Sequence, residues 1–215
     1  MKQSLPRHLW VFLSACAIGC YASLINRFRA VGIEHIPPAP GRGVMLAANH
    51  TSAYDTVFLP WVVIRRFPRR MIWAPAKQEL FRNRFLGWLI HSWGAFPVNR
   101  GRDLRAWWLI ASLLKTETVM LFPEGTRHGD GTLGHGNRAV GKLIYDTRPI
   151  VVPCAISGLN NWRFPGRGQR ARVVFGPPVE FSDLYQAKKS KETYNLVVDR
   201  VMAAISGLLA TDPQR

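Results

Sequence analysis

Acidic residues are scarce in this chain. Its 215 residues carry 13 Asp+Glu against 29 Lys+Arg, a formal charge of +16. That balance argues against cationic partners and points to polyanions: nucleic acid, an anionic membrane surface, or phosphate-bearing substrates. Cysteine is scarce too. Cys16, Cys20 and Cys154 are too few for a disulfide framework, and no CxxC or Cys/His cluster offers zinc ligands. Beyond the N-terminal stretch no apolar run reaches the roughly 20 residues of a transmembrane helix, which excludes a polytopic membrane protein. No GxSxG elbow is present, which excludes a serine hydrolase of that kind. Residues 136–142 have GxxxxGK spacing, but Leu143 stands where a P-loop needs Ser or Thr and no strand leads into the loop.

What is present is a hydrophobic fraction of 47%, ordinary for a folded protein, on a length that fits one domain or one domain plus an appended segment. The basic residues are mostly Arg, 22 against 7 Lys, which suits bidentate phosphate recognition. Six of the eight Trp fall between Trp61 and Trp108, interleaved with Arg, a mixture suited to a membrane interface as well as to a core beside a solvated basic face. Residues 9–25 (LWVFLSACAIGCYASLI) are nearly free of polar groups and are flanked by Lys2, Arg7, Arg27 and Arg29. Three readings fit this stretch. It can be a signal peptide, whose Leu13-Ser14-Ala15-Cys16 resembles a lipoprotein cleavage box; a short transmembrane helix; or a helix lying in one leaflet. We expect a retained membrane-anchoring or interfacial helix over residues 1–30 and a second unit over 31–215.

From residue 43 onward, β-like runs rich in Val, Ile, Met and Phe alternate with helical patterns. The expected strands are 43–49, 70–74, 95–98, 118–122, 150–156 and 172–175, and the expected helices are 55–66, 78–93, 104–115, 138–146 and 191–209. This alternation predicts an α/β fold, a single domain with a central mixed β-sheet flanked by helices. Active-site loops in such folds sit at the carboxyl ends of the strands.

Four segments at strand ends carry chemistry. In VMLAANHTSAYD, His50 follows an apolar run and Asp55 comes five residues later. With His50 in a loop and Asp55 in the first turn of the next helix, the carboxylate can hold one imidazole nitrogen and leave the other as a general base. A helix-capping Asp beside an unrelated loop His fits the same spacing. In VMLFPEGTR, Gly125 lets backbone approach an anion, the Thr126 hydroxyl can donate, Arg127 offers a fork for phosphate, and Glu124 can orient that Arg or bond a substrate hydroxyl. A turn with a surface ion pair is the plainer alternative. In AFPVNRGR, Arg100 offers a second phosphate contact or merely a solvated charge. PIVVPCAISG reads as a core strand or as the lining of an acyl channel, with Cys154 an inert packed thiol.

Together the four segments, in this order and spacing, resemble the glycerolipid acyltransferases with a His-x4-Asp motif, and within them the 1-acylglycerol-3-phosphate (lysophosphatidate) acyltransferases. NHTSAYD is similar to the first motif of that family, AFPVNR to the second, FPEGTR to the phosphate-binding motif and VVPCAISG to the fourth; AKQELF at 76–81 has a counterpart as well. Asn99 stands where the family often has Asp, and Gly136 and Asn137 replace its usual aromatic-Lys pair. The resemblance implies transfer of an acyl group from acyl-CoA or acyl-carrier protein to the free hydroxyl of 1-acylglycerol-3-phosphate. His50 would act as base and Asp55 as its partner, Arg100, Glu124, Gly125, Thr126 and Arg127 would hold phosphate and glycerol, and Pro153 would line the acyl site. It implies a membrane lipid as partner, no nucleic acid, no metal and no cofactor beyond the acyl donor, and a place on the cytoplasmic face of the inner (plasma) membrane. An acyltransferase for another lysophospholipid or lyso-aminolipid, and a non-catalytic basic module for membranes or nucleic acid, are the alternatives.

Overall fold

The computed structural model describes residues 4–38, 41–99 and 103–211. Helix α1 (Leu5–Cys20) has a proline in its first turn, where a missing N–H costs nothing, and runs into a π-helical turn over Tyr21–Ile25. Strand β1 (Arg27–Val31) follows. Strands and helices then alternate: β2 (Val44–Ala48), α2 (Asp55–Arg66), β3 (Ile72–Lys77), α3 (Arg84–Ser92), β4 (Ala95–Val98), α4 (Leu104–Leu113), β5 (Thr118–Leu121), α5 (Arg138–Thr147) and β6 (Ile150–Ser157). β7 (Arg170–Phe175) and α6 (Lys191–Ala210) complete the described order.

Among the described residues the strands form one seven-stranded sheet in the order β1-β7-β6-β2-β5-β3-β4. β7 is antiparallel to β6 and parallel to β1, and the pairings from β6 across to β4 are parallel. This is the mixed, helix-flanked sheet expected from the alternation. Right-handed crossovers decide the layers. The β2–α2–β3 connection moves one way across the sheet, while β4–α4–β5 and β5–α5–β6 move back, so α2 lies on one face and α4 and α5 on the other. α1 packs beside α2, and α6 packs on α5 and β6. Covered on both faces, the central strand β2 (VMLAA) is buried at every position.

The boundary expected between residues 30 and 31 falls inside β1, a strand of this sheet. α1 does not hang off the domain. Its Val11, Ala15 and Gly19, with Ala22 beyond, form a buried stripe at helical spacing. Gly19 admits the close approach of Trp61, since a Cβ there would lie 2.5 Å from Trp61 Nε1. At the other end the Arg7 guanidinium donates to the carbonyl of His91 at 2.8 Å, and Trp10 Nε1–H donates to Ser92 Oγ at 2.9 Å.

Two elements differ from the sequence expectation. The helix expected over 78–93 is split: β3 continues to Lys77, a 3-10 turn covers Gln78–Phe81, and α3 starts only at Arg84. Asn83 makes that start by accepting the Leu86 N–H at 2.9 Å, a side-chain N-cap that a continuous helix has no place for. β1 was not expected at all. Only Phe28 of its five residues is buried, so the strand has no apolar alternation to announce it.

Cys154 lies in β6 with no exposure, and burial pushes its thiol well above the ordinary range. It is therefore expected to resist a thiol reagent such as DTNB at neutral pH until the chain is unfolded in guanidinium, when its sulfur should titrate at once. Native-state labelling of Cys154, mapped by peptide mass, would contradict this burial.

Candidate active site

β2 ends at Ala48, and the chain is tied down immediately. Buried Asn49 donates from Nδ2 to the Ile156 carbonyl at 2.9 Å and accepts the Ile156 N–H at 2.7 Å, so its amide extends the ladder to β6. The next residue, His50, is thereby delivered to the carboxyl end of the parallel strands. Asp55, the first residue of α2, is fully buried and lies 3.0 Å from His50 Nδ1 through Oδ2. The same oxygen accepts the N–H groups of Thr51 at 2.6 Å and Ser52 at 2.7 Å. Asp55 itself lies in the first turn of α2, where a carboxylate is favoured electrostatically by the helix N-terminus. A carboxylate facing Nδ1 selects the Nδ1–H tautomer, which leaves Nε2 as the acceptor. The His50 ring stacks on Phe122 with centroids 3.9 Å apart and planes at 13°, fixing its orientation.

Glu124 links the two loops around His50. It is buried, its Oε1 accepts the His50 backbone N–H at 2.7 Å, and its Oε2 accepts the Gly134 N–H at 2.8 Å. His128 Nε2 stands 3.4 Å from the same Oε2, and the His128 N–H donates to the His50 carbonyl at 2.8 Å. With both oxygens occupied by backbone, Glu124 stitches the loop after β5 to the loop after β2. It thereby ties the His50 backbone in place.

The remaining expected residues divide. Gly125 adopts a positive φ of 70°, which turns the chain after Glu124 and leaves Thr126 and Arg127 exposed. Arg127 lines a cavity of about 290 Å³ whose wall includes His50. Pro153 is buried in β6, on the face where Gly176 and Leu208 of α6 pack, and it is not among the residues lining that cavity. Arg100 lies outside the described residues.

The cavity is apolar below its mouth. α1 contributes Val11, Ala15 and Ile18, and α2 contributes Val57, Trp61 and Ile64. Lys77, the last residue of β3, lines the same space as His50 and Arg127. Its sequence signal is the AKQELF segment at 76–81, which contains Lys77. The P-loop-like glycine has a packing role instead. A Cβ on Gly141 would lie 1.9 Å from the Tyr194 carbonyl oxygen, so Gly is required where α5 meets α6.

A buried carboxylate, an oriented imidazole, exposed cations and a long apolar cavity thus converge on one strand-end cleft. Comparison with known proteins agrees with that chemistry. The chain is 27% identical over 174 residues to a protein from Streptococcus pneumoniae named 1-acyl-sn-glycerol-3-phosphate acyltransferase, covering 80% of this chain and 62% of that one. A Bacillus subtilis protein of the same name is 25% identical, covering 79% of this chain and 82% of that one. The chain spans about three fifths of the length of the first curated relatives it matches. The crystal structure of the 1-acyl-sn-glycerophosphate acyltransferase PlsC from Thermotoga maritima shares the fold, with a TM-score of 0.67 at 21% identity over 95% of this chain and 80% of that one. The acyltransferase family model matches residues 27–157, more than half of the chain and the span that holds His50, Asp55 and Glu124, and the chain belongs to that family.

Proposed function

We propose that this protein transfers a fatty acyl group from acyl-CoA or acyl-carrier protein to the free hydroxyl of 1-acylglycerol-3-phosphate, giving phosphatidic acid. The observation that carries this reading is the cavity that joins His50, Lys77 and Arg127 at its mouth to an apolar interior roofed by α1. His50 Nε2 takes the proton of the acceptor hydroxyl, and Asp55 stabilises the imidazolium that forms. The oxygen attacks the thioester carbonyl, the C–S bond breaks, and the departing thiolate takes the proton back from His50. A thioester already carries a good leaving group, so the step calls for no covalent enzyme intermediate, metal or cofactor. Lys77 and Arg127 hold the acceptor phosphate, with Gly125, Thr126 and Arg100 as further expected contacts, and the acyl chain occupies the apolar cavity.

The membrane side of the reading rests on the outer faces of α1 and α3. Leu9, Trp10, Leu13, Phe85 and Trp88 are exposed, and the Trp10 and Trp88 rings lie 6.0 Å apart. Leu5–Ile25 is long and apolar enough to cross a bilayer. Yet it is packed on the domain through its buried stripe, which favours a helix lying in one leaflet with its outer face in lipid. The free thiols Cys16, Cys20 and Cys154 favour the reducing, cytoplasmic face of the inner (plasma) membrane.

The reading is tested by thiol release from long-chain acyl-CoA and acyl-carrier protein, with and without lysophosphatidate, lysophosphatidylcholine or a lyso-aminolipid in the same micelles. Release that depends on lysophosphatidate supports it; release with another acceptor alone reassigns the headgroup, and silence throughout defeats it. The acyl cavity has its own test. Ala15 is buried on α1 and lines it. Ala15→Phe is expected to shift the donor preference toward shorter chains, losing about fourfold per methylene no longer buried, from ~0.8 kcal/mol each. An unchanged chain-length profile would place the acyl chain elsewhere.

A further inference from the structure

A second cavity opens at the opposite end of the sheet. It lies where α2 turns into β3 and β5 begins, about 520 Å³ in volume, and its wall includes Arg66, Arg69, Arg70, Thr116 and Glu117. The strands are parallel here, so this is the amino end of β3 and β5, while His50 stands beyond the carboxyl end of β2. Strands of this length, at about 3.3 Å per residue, separate the two places by roughly 15 Å.

Arg70 is the informative residue. One terminal nitrogen, Nη2, donates to the carbonyls of Pro37 at 2.6 Å and Pro38 at 2.8 Å. The other, Nη1, is buried and has no hydrogen-bond partner among the described residues. Buried polar groups are nearly always satisfied, and an orphaned guanidinium N–H is costly unless something fills its place. Burial also pulls this guanidinium below its ordinary value. Arg66 lines the same cavity, and its guanidinium and that of Arg70 pack 5.4 Å and 4.6 Å from the centroid of the Phe67 ring. Three guanidiniums against the single carboxylate of Glu117 leave the cavity net positive.

The geometry points to a phosphate-binding site at the α2–β3 turn, separate from the catalytic cleft, in which Arg66, Arg69 and Arg70 take a phosphate monoester. Guanidinium forks match its planar oxygen edges, and the Thr116 hydroxyl adds a neutral donor. A lipid headgroup and free phosphate share that chemistry. The proposal stands apart from the acyl-transfer reading, since it needs neither His50 nor the acyl cavity.

The test is binding, not turnover. Inorganic phosphate and glycerol 3-phosphate are titrated calorimetrically into the full chain carrying Lys77→Ala and Arg127→Ala, which removes the two principal cations proposed at the cleft. Binding is expected to persist there and to weaken at least about tenfold when Arg66→Gln and Arg69→Gln are added, the loss of one charge-assisted hydrogen bond or more. Among the described residues neither of these arginines makes a hydrogen bond like those of Arg70 to Pro37 and Pro38, so the fold is expected to stand, with circular dichroism as the check. Arg70→Lys, which keeps the charge but not the fork, is expected to weaken binding as well. In a parallel arm the same variants are sedimented with phosphatidylcholine vesicles with or without phosphatidate. Sensitivity only in that arm makes the ligand a lipid headgroup; sensitivity in the calorimetric arm makes it a soluble phosphate. Phosphate binding that Arg66→Gln and Arg69→Gln leave unchanged, or no binding in either arm, overturns the site.

Discussion

His50→Ala is expected to lower acyl transfer about a hundredfold to ten-thousandfold while leaving the folded chain intact, the range a positioned general base contributes. The structure makes this substitution a clean one. The His50 side chain lies at the cleft, its only polar side-chain contact among the described residues is to Asp55, and the loop is held by the His50 backbone through Glu124 and His128. Removing the imidazole therefore removes the base and leaves the scaffold. Asp55→Asn makes the contrast. Asp55 is fully buried and accepts the Thr51 and Ser52 N–H groups as well as facing His50. An amide there turns an N–H toward donors or selects the wrong imidazole tautomer, so Asp55→Asn is expected to lose both rate and thermal stability. Rates measured alongside melting temperatures separate the two. A His50→Ala enzyme with near-normal turnover would remove His50 from the mechanism.

The second large effect is expected from the cations at the cavity mouth. A hydrogen bond to a charged group contributes about 1.5–3 kcal/mol, or roughly 10- to 150-fold in affinity. Arg127 and Lys77 are both exposed, so solvent screening puts each single alanine variant near the low end, about tenfold in KM for lysophosphatidate. Lys77→Ala with Arg127→Ala together should approach a hundredfold, with kcat far less affected, because the phosphate is bound in ground and transition states alike. Acceptors without a phosphate monoester should show little change. Equal losses for acceptors with and without that group would mean the two cations shape the cleft and do not bind phosphate.

Much of this arrangement was legible in the sequence, for identifiable reasons. α2 and β4 lie at the expected residues because their signals are local: an aspartate opening one and Gly94 preceding the other. The pairing of His50 with Asp55 was open on spacing alone, because five residues on one helix face apart; the strand end and the turn between them bring the two side chains together. The structural contacts of Glu124 were not legible: its oxygens accept the N–H groups of His50 and Gly134, 74 and 10 residues away along the chain, and FPEGTR by itself carries no sign of either partner. The acyl lining was expected near Pro153 because β6 is apolar, but an apolar strand in a sheet covered on both faces says nothing about which face is hollow. The cavity that reaches His50 lies on the other side, under α1, with Ala15 of α1 and Trp61 of α2 in its wall. That is a long-range packing fact, and periodicity does not carry it.

The central claim is that the cleft transfers an acyl group between two substrates. The most direct measurement is the mass of the lipid formed when purified protein is given deuterium-labelled lysophosphatidate and unlabelled long-chain acyl-CoA. The account predicts phosphatidate carrying the labelled chain and one unlabelled chain, formed at the rate at which thiol is released. Thiol release accompanied by free fatty acid, with the labelled acceptor unchanged, would contradict it.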